Sequence, residues 1–287
     1  MSSSKRFAMV WLVAALAWTG GPGAAGAEPV AVNLEVADVL ASPGESLEIS
    51  AKLEVKGPRG VNLPGLPVKF WLDDRPLGES VGDARAVSVM ALKAPEAGDH
   101  RLTAVFAGDP GHLRAEYNAM LAVRAPGTAL LAVDLDWTLA ATDNLNTTAG
   151  GSDCPPLEGA AQAMRRLGKR FTIVYVTCRA RQLRKRTVSW LARYGFPAGP
   201  STYVDPRLYP TFDLLAYRKA VLLPLKKAFP GLAAGIGNDP EDLAAYREAG
   251  LPTVLLTPKP VAGAVCVSAW EGVEKALDTV LAGAKGR

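Results

Sequence analysis

The chain has 287 residues, room for about two domains of ordinary size. Lys and Arg number 32 against 28 Asp and Glu, giving a net charge of +4, and bases and acids alternate through the chain. That spread excludes an electrostatic nucleic-acid binder, and two histidines with three cysteines, none in a C-x-x-C pair, exclude a zinc cluster of the usual kinds.

Residues 1–27 read as a secretion signal. Lys5 and Arg6 form a basic start, Phe7 to Trp18 is uncharged and apolar, and Ala25-Gly26-Ala27 is an A-x-A cleavage sequence before Glu28. The apolar run is about 12 residues, short of the roughly 20 that a spanning helix needs. No cysteine follows it for a lipid anchor, so the expected mature protein is exported, periplasmic or released. Export allows disulfides. Cys154, Cys178 and Cys266 are odd in number, so at least one stays free or pairs between chains; a Cys154–Cys178 bridge and buried free thiols both stay open.

Residues 28–124 read as an all-β sandwich. Leu47 to Val55 alternates apolar and polar side chains, as do Ala86 to Leu92 and Leu102 to Phe106, with Gly-Asp and Pro-Gly turns at short intervals. Trp71 is expected in the core of this unit, and His100 and His112 as ordinary strand and turn residues. The stretches Gly65 to Trp71, Pro76-Leu77-Gly78 and Ala97 to Asp109 resemble the bacterial immunoglobulin-like repeat over about 95 residues. The resemblance implies a spacer or adhesion module without chemistry of its own.

Arg124 to Thr128 is a Pro/Gly joint, and the pattern then changes. From residue 128 to 287, apolar runs (Leu130 to Leu135, Phe171 to Thr177, Ala233 to Ile236, Thr253 to Thr257) alternate with helical stretches (Leu157 to Leu167, Gln182 to Tyr194, Asp213 to Phe229, Glu241 to Ala249, Ala269 to Leu281). Strands apolar throughout and separated by helices imply a parallel sheet covered on both faces. Ligands in such sheets sit beyond the carboxyl ends of the strands.

Three strand ends carry candidate chemistry. At the first, Asp134 and Asp136 flank Leu135 and would share one side of an extended strand. Two acids so close repel unless a proton or a hard cation such as Mg²⁺ separates them. The second is Thr177-Cys178-Arg179, where a hydroxyl with the free backbone amides of the turn suits a phosphoryl oxygen, or else caps a helix. The third is Gly237-Asn238-Asp239-Pro240-Glu241-Asp242, acids crowding a helix start. Lys219 precedes it by one helix.

In this order the four features resemble the haloacid dehalogenase-like phosphatase superfamily. Asp134, Asp136 and Thr138 are similar to its first motif, Thr177 to its second, Lys219 to its third, and Asn238 to Asp242 to its acidic fourth. A narrower resemblance is to lipin-type phosphatidate phosphatases, on Asp134 to Thr138 with Asp143, Tyr217-Arg218-Lys219, and Gly235 to Asn238 with Asp242. Trp137 stands where that group has Gly. The resemblance implies a Rossmann-like fold and an aspartyl-phosphate mechanism. Asp134 would be the nucleophile, Asp136 the acid and base, and Thr177 and Lys219 the phosphate holders. Thr138 and Arg179 would bind substrate, and Mg²⁺ would lie among Asp134, the Asp136 backbone carbonyl, Asn238, Asp239 and Asp242.

About 30 to 40 residues separate successive motifs, which the connecting elements already consume, so no large cap domain is expected. The expected substrate is a phosphorylated small molecule or a phospholipid. The basic residues Arg179, Arg181, Arg184, Lys185 and Arg186 read as a solvated helix face, with contact to an anionic membrane surface as the alternative. Two rival readings are a phospho-ligand binding domain without turnover and an adhesion protein whose immunoglobulin-like part does the work; the partner of that part is not legible. Asn146-Thr147-Thr148 fits a glycosylation sequon by chance.

Overall fold

A computed structural model describes residues 28–57, 60–142, 154–205 and 213–285. The signal-like segment, Asp143 and the Asn146 sequon lie outside the described residues.

The N-terminal unit is two stacked β-sheets. One holds β1 (Val32–Val36), β3 (Ser46–Val55), β4 (Val61–Asn62) and β7 (Val87–Lys93). The other runs β2 (Val39–Ala41), β9 (Ala115–Val123), β8 (Gly98–Phe106), β5 (Pro67–Leu72) and β6 (Arg75–Val81). All pairings are antiparallel except β2 on β9. The alternation read from Leu47 to Val55 is realised: Ile49, Ala51 and Leu53 point inward against Phe70, Leu102, Ala104 and Phe106. Trp71 departs from expectation. Phe70 takes the inward position, so strand alternation sends Trp71 to the outer face, beside Thr103, and out of the core.

The C-terminal unit is a six-stranded, wholly parallel sheet in the order β12 (Ser201–Val204), β11 (Thr172–Ala180), β10 (Leu130–Val133), β13 (Leu232–Gly237), β14 (Thr253–Leu256), β15 (Val265–Val267). The helices are α1 (Ala160–Leu167), α2 (Arg184–Arg193), α3 (Leu214–Ala228), α4 (Pro240–Glu248) and α5 (Val273–Lys285). Successive residues of the central strands feed opposite cores. Leu131, Val133, Ile173 and Ile236 meet α1 and α5, while Leu130, Ala132, Val174 and Leu232 meet α3 and α4. Burying such a side chain contributes about 1.5–3 kcal/mol. Strands that bury both faces therefore lose their alternation and read as unbroken apolar runs.

Two strands escape the sequence reading. Ser201–Val204 and Val265–Val267 are edge strands of four and three residues, too short to show a period. No helix among the described residues is long and apolar enough to cross a membrane. All three cysteines are free thiols, and burial pushes that of Cys178 up to about 12, which keeps it unreactive.

Candidate active site

The site lies at the carboxyl ends of β10, β11 and β13. β10 stops at Val133, so Asp134 and Asp136 leave the sheet in a loop instead of sharing one side of a strand. The loop closes through the Leu135 carbonyl, which accepts from the amides of Leu139 (2.8 Å) and Ala140 (2.9 Å). Trp137 sits in the left-handed region at φ 57, where a non-glycine residue costs about 1–2 kcal/mol, and its side chain is 50% exposed.

The loop sends the two acids to different partners. Asp134 is 3% exposed and accepts a hydrogen bond from Thr138 Oγ1 at 2.9 Å. Thr138 is wholly buried, and its carbonyl accepts from Trp270 Nε1 at 2.8 Å, so it ties the loop down instead of facing substrate. Its hydroxyl is also 3.2 Å from Asn238 Oδ1. Asp136 instead meets Arg179. Arg179 Nη2 donates to Asp136 Oδ1 at 2.7 Å and Nε at 3.0 Å, while Nη1 reaches Thr187 Oγ1 at 3.1 Å. Arg179 is 2% exposed with its guanidinium occupied, which corrects its reading as a substrate holder.

Thr177 is not past the strand end. β11 continues to Ala180 with a register shift between Val176 and Ala180, and Thr177 lies in that irregular stretch, wholly buried. Its hydroxyl accepts the Arg179 amide at 3.2 Å. It is no helix cap, since α2 begins at Arg184.

β13 and α4 complete the site. A Cβ on Gly237 would fall 2.4 Å from Asp242 Oδ2, and one on Gly235 would fall 2.4 Å from the Tyr246 ring. The two glycines let α4 lie on the strand and bring Asp242 to its mouth. Asp239 caps α4, accepting the Asp242 amide at 2.8 Å, and Asp242 Oδ2 accepts the Asn238 amide at 3.0 Å.

The cation of the site is Arg218, not Lys219. Arg218 Nε lies 3.0 Å from Asp242 Oδ1, and Nη1 donates to Glu241 at 2.8 Å, with Asp239 3.5 Å from Nη2. Lys219 points away, to Glu248 at 2.6 Å on the outer side of α4. A signal for this exists in α3: Arg218 lies on the inward stripe with Leu222 and Leu225, whereas Lys219 lies beside it.

Burial, then the neighbouring Asp242, pushes the Asp134 carboxyl well above the usual range. Burial raises Asp242 to about 6, with Arg218 opposing. Buried carboxyls whose protonated form is favoured in this way are hard oxygen donors, from which a divalent cation displaces protons. Of the five expected ligands only Asp134 and Asp242 are so disposed. The Asp136 carboxylate is held by Arg179, which does not engage the backbone carbonyl expected to reach the metal, while Asp239 caps α4 and Asn238 faces Thr138. Among the described residues no three His, Cys, Asp or Glu side chains already form a metal cage.

Residues 131–255, less than half of the chain, match the family described as PITM 1-3, LNS2 domain, a lipin-like, haloacid dehalogenase-type phosphatase family. Over these residues the C-terminal unit is similar to a phosphatase-type hydrolase family. Among curated proteins none matches the chain. Two solved structures similar to this unit are a D,D-heptose 1.7-bisphosphate phosphatase from B. bronchiseptica, complexed with magnesium and phosphate, and a HAD-superfamily hydrolase from Geobacter sulfurreducens. The first has 18% identity and TM-score 0.36, covering 53% of this chain and 99% of its own; the second has 12% and 0.37, covering 53% and 97%. Fibronectin(III)-like modules of Clostridium thermocellum CbhA align with 33% of this chain and 96% of their own, at 19% identity and TM-score 0.23.

Proposed function

We propose that this unit is a Mg²⁺-dependent phosphomonoesterase working through an aspartyl-phosphate on Asp134. The observation that carries the reading is Asp134 itself, a buried carboxylate at the end of the central strand, oriented by Thr138 and set beside Asp242 and Arg218. Its Oδ atom attacks phosphorus, the ester oxygen leaves with a proton, and water then cleaves the acyl phosphate. Asp136 is the residue placed to give that proton and to take one back from the water, and Arg179 fixes its carboxylate for both tasks. Arg218 offers positive charge where phosphoryl oxygens arrive, in the role first read for Lys219. Mg²⁺, bound by Asp134 and Asp242, would supply charge neutralisation between the phosphate and the acids.

The substrate class in this proposal is a phosphomonoester, soluble or a phosphatidate-like lipid, and the protein is exported after cleavage near Ala27. The test is phosphate release from an aryl phosphate, phosphatidate, and sugar and nucleotide phosphates, with and without Mg²⁺, on the chain and on Asp134→Asn. The expected result is Mg²⁺-dependent release abolished by the substitution. Full release by Asp134→Asn would overturn the scheme.

One observation favours a second reading, phospho-ligand binding without turnover: Arg179 already occupies the Asp136 carboxylate. Ligand binding by both proteins, with release by neither, would select it.

A further inference from the structure

Between Thr177 and Lys185 the chain carries three arginines, and the first of them lies in the active site. Arg179 grips Asp136. Arg181, two residues on, reaches into the N-terminal unit, where its guanidinium meets Glu35 on β1 and Glu54 on β3, the latter at 2.6 Å. Asp205 lies 3.4 Å from its Nε. Arg184, at the start of α2, pairs with Asp38, donates to the Tyr117 hydroxyl at 2.5 Å and lies over the Tyr117 ring. Asp38 in turn accepts from Ser201 through its amide (3.0 Å) and hydroxyl (2.8 Å), and from the Met120 amide at 2.7 Å.

Charges this deeply placed do not slide. Glu54 is 3% exposed, and the side chains of Asp38 and Arg184 are nearly as covered. A buried ion pair holds its geometry because moving either partner leaves a charge without water or counter-ion. The extended run from Thr177 to Arg181 spans the short gap between the two ends of this chain of contacts. Its β11 pairing breaks between Val176 and Ala180, so the sheet alone does not fix it there.

We propose that the N-terminal unit is a positioning part of the active site: Glu35 and Glu54 hold Arg181, and through it the turn from which Arg179 sets Asp136. The inference rests on the phosphatase reading for its effect on rate, but not for the coupling itself. Arg181, Glu35 and Glu54 are positioning residues, since none of them reaches the reacting atoms.

The test uses the whole chain. Glu35→Gln with Glu54→Gln keeps shape and removes the two N-terminal-unit charges that Arg181 faces, leaving Asp205 as its remaining acidic partner. Hydrogen exchange of peptides covering 177–187 is expected to rise by about tenfold, while β10 and β13 stay as in the parent. With Mg²⁺ and an aryl phosphate, kcat is expected to fall by about tenfold, with KM within about twofold. Glu54→Asp should keep part of the lost rate. If the double variant folds poorly, adding Arg181→Met removes charge from both sides of the interface. That triple variant is expected to fold and to keep the low kcat. Parent-like exchange over 177–187 together with parent-like kcat in either folded variant would overturn the proposal. If the parent itself releases no phosphate, the phosphatase reading fails and the exchange result alone still decides the coupling.

Discussion

Replacing Arg218 by Gln and Lys219 by Ala asks which of two adjacent cations serves the site. Arg218 is buried and stands against Asp242, Glu241 and Asp239, with Asp134 close by. Its loss leaves the buried Asp242 carboxylate without a counter-charge, a change that costs about 3–5 kcal/mol. At about 2–4 °C per kcal/mol for a unit of this size, the melting point should drop by about 6–20 °C without Mg²⁺. Lys219 and Glu248 are well hydrated, and exposed pairs of this kind contribute about 0.2–1 kcal/mol, so Lys219→Ala should move it by about 4 °C at most. Loss of Arg218 should also cut kcat by about 10²–10³, as removal of a charge that stabilises a transition state does, while Lys219→Ala should keep parent activity. Thermal melts with and without Mg²⁺, beside phosphate release, read both quantities. An inactive Lys219→Ala with an active Arg218→Gln would refute the assignment.

Other consequences follow from the same contacts. The Asp134 and Asp242 carboxyls hold protons more tightly folded than unfolded. Their contribution to stability is therefore full below about pH 3.8 and fades as pH rises, through about 6 for Asp242. Urea melts of Asp242→Asn without divalent ions should show a flatter decline than the parent between pH 4 and 7. Because cation and proton compete for these oxygens, the rise in melting point caused by Mg²⁺ should grow as pH passes about 6. Trp137→Gly removes left-handed strain of about 1–2 kcal/mol and adds unfolded-state freedom worth about 0.5–1, so the urea midpoint should rise slightly. A lower midpoint would show that the indole makes contacts which outweigh the strain. Gly237→Ala would push a methyl into the Asp242 carboxylate and should cost about 1–3 kcal/mol, with weaker Mg²⁺ stabilisation in the same melts.

The parallel sheet was legible because its central strands bury both faces, which leaves apolar runs that no surface strand would show. Asp134 and Asp242 were legible because acids at the end of such runs are costly without a task. The roles of Arg179, Arg218 and Lys219 were not. Which of two neighbouring cations turns inward depends on where the helix face meets the sheet, and that requires the packing of α3 on α4. Arg179 looked available for substrate because its partner Asp136 is 43 residues away in the chain. Arg181 and Arg184 read as a solvated face for the same reason: their partners Glu35 and Asp38 lie 146 residues away. Trp71 was misread by one step of strand register, which exchanges the two faces of a sheet.

The two active-site arginines divide the labour that the acid pair first suggested for a single metal ion. Arg179 holds Asp136 outside the deep cluster, so its charge adds little to the demand there. The cluster that remains sets Asp134, Asp239, Glu241 and Asp242 around one guanidinium. Four carboxyls to one cation are not balanced when all are ionised. Burial answers by favouring the protonated form of the two most buried, with Asp134 pushed well above the usual range and Asp242 raised to about 6. A divalent cation would replace those protons, free Asp134 as an ionised nucleophile and leave Arg218 for the phosphate. On this account the metal is not needed for folding, since proton and guanidinium suffice. In the proposed mechanism it would be needed for attack, since a protonated carboxyl is no nucleophile. Removal of Mg²⁺ should therefore abolish turnover while leaving a folded protein near neutral pH.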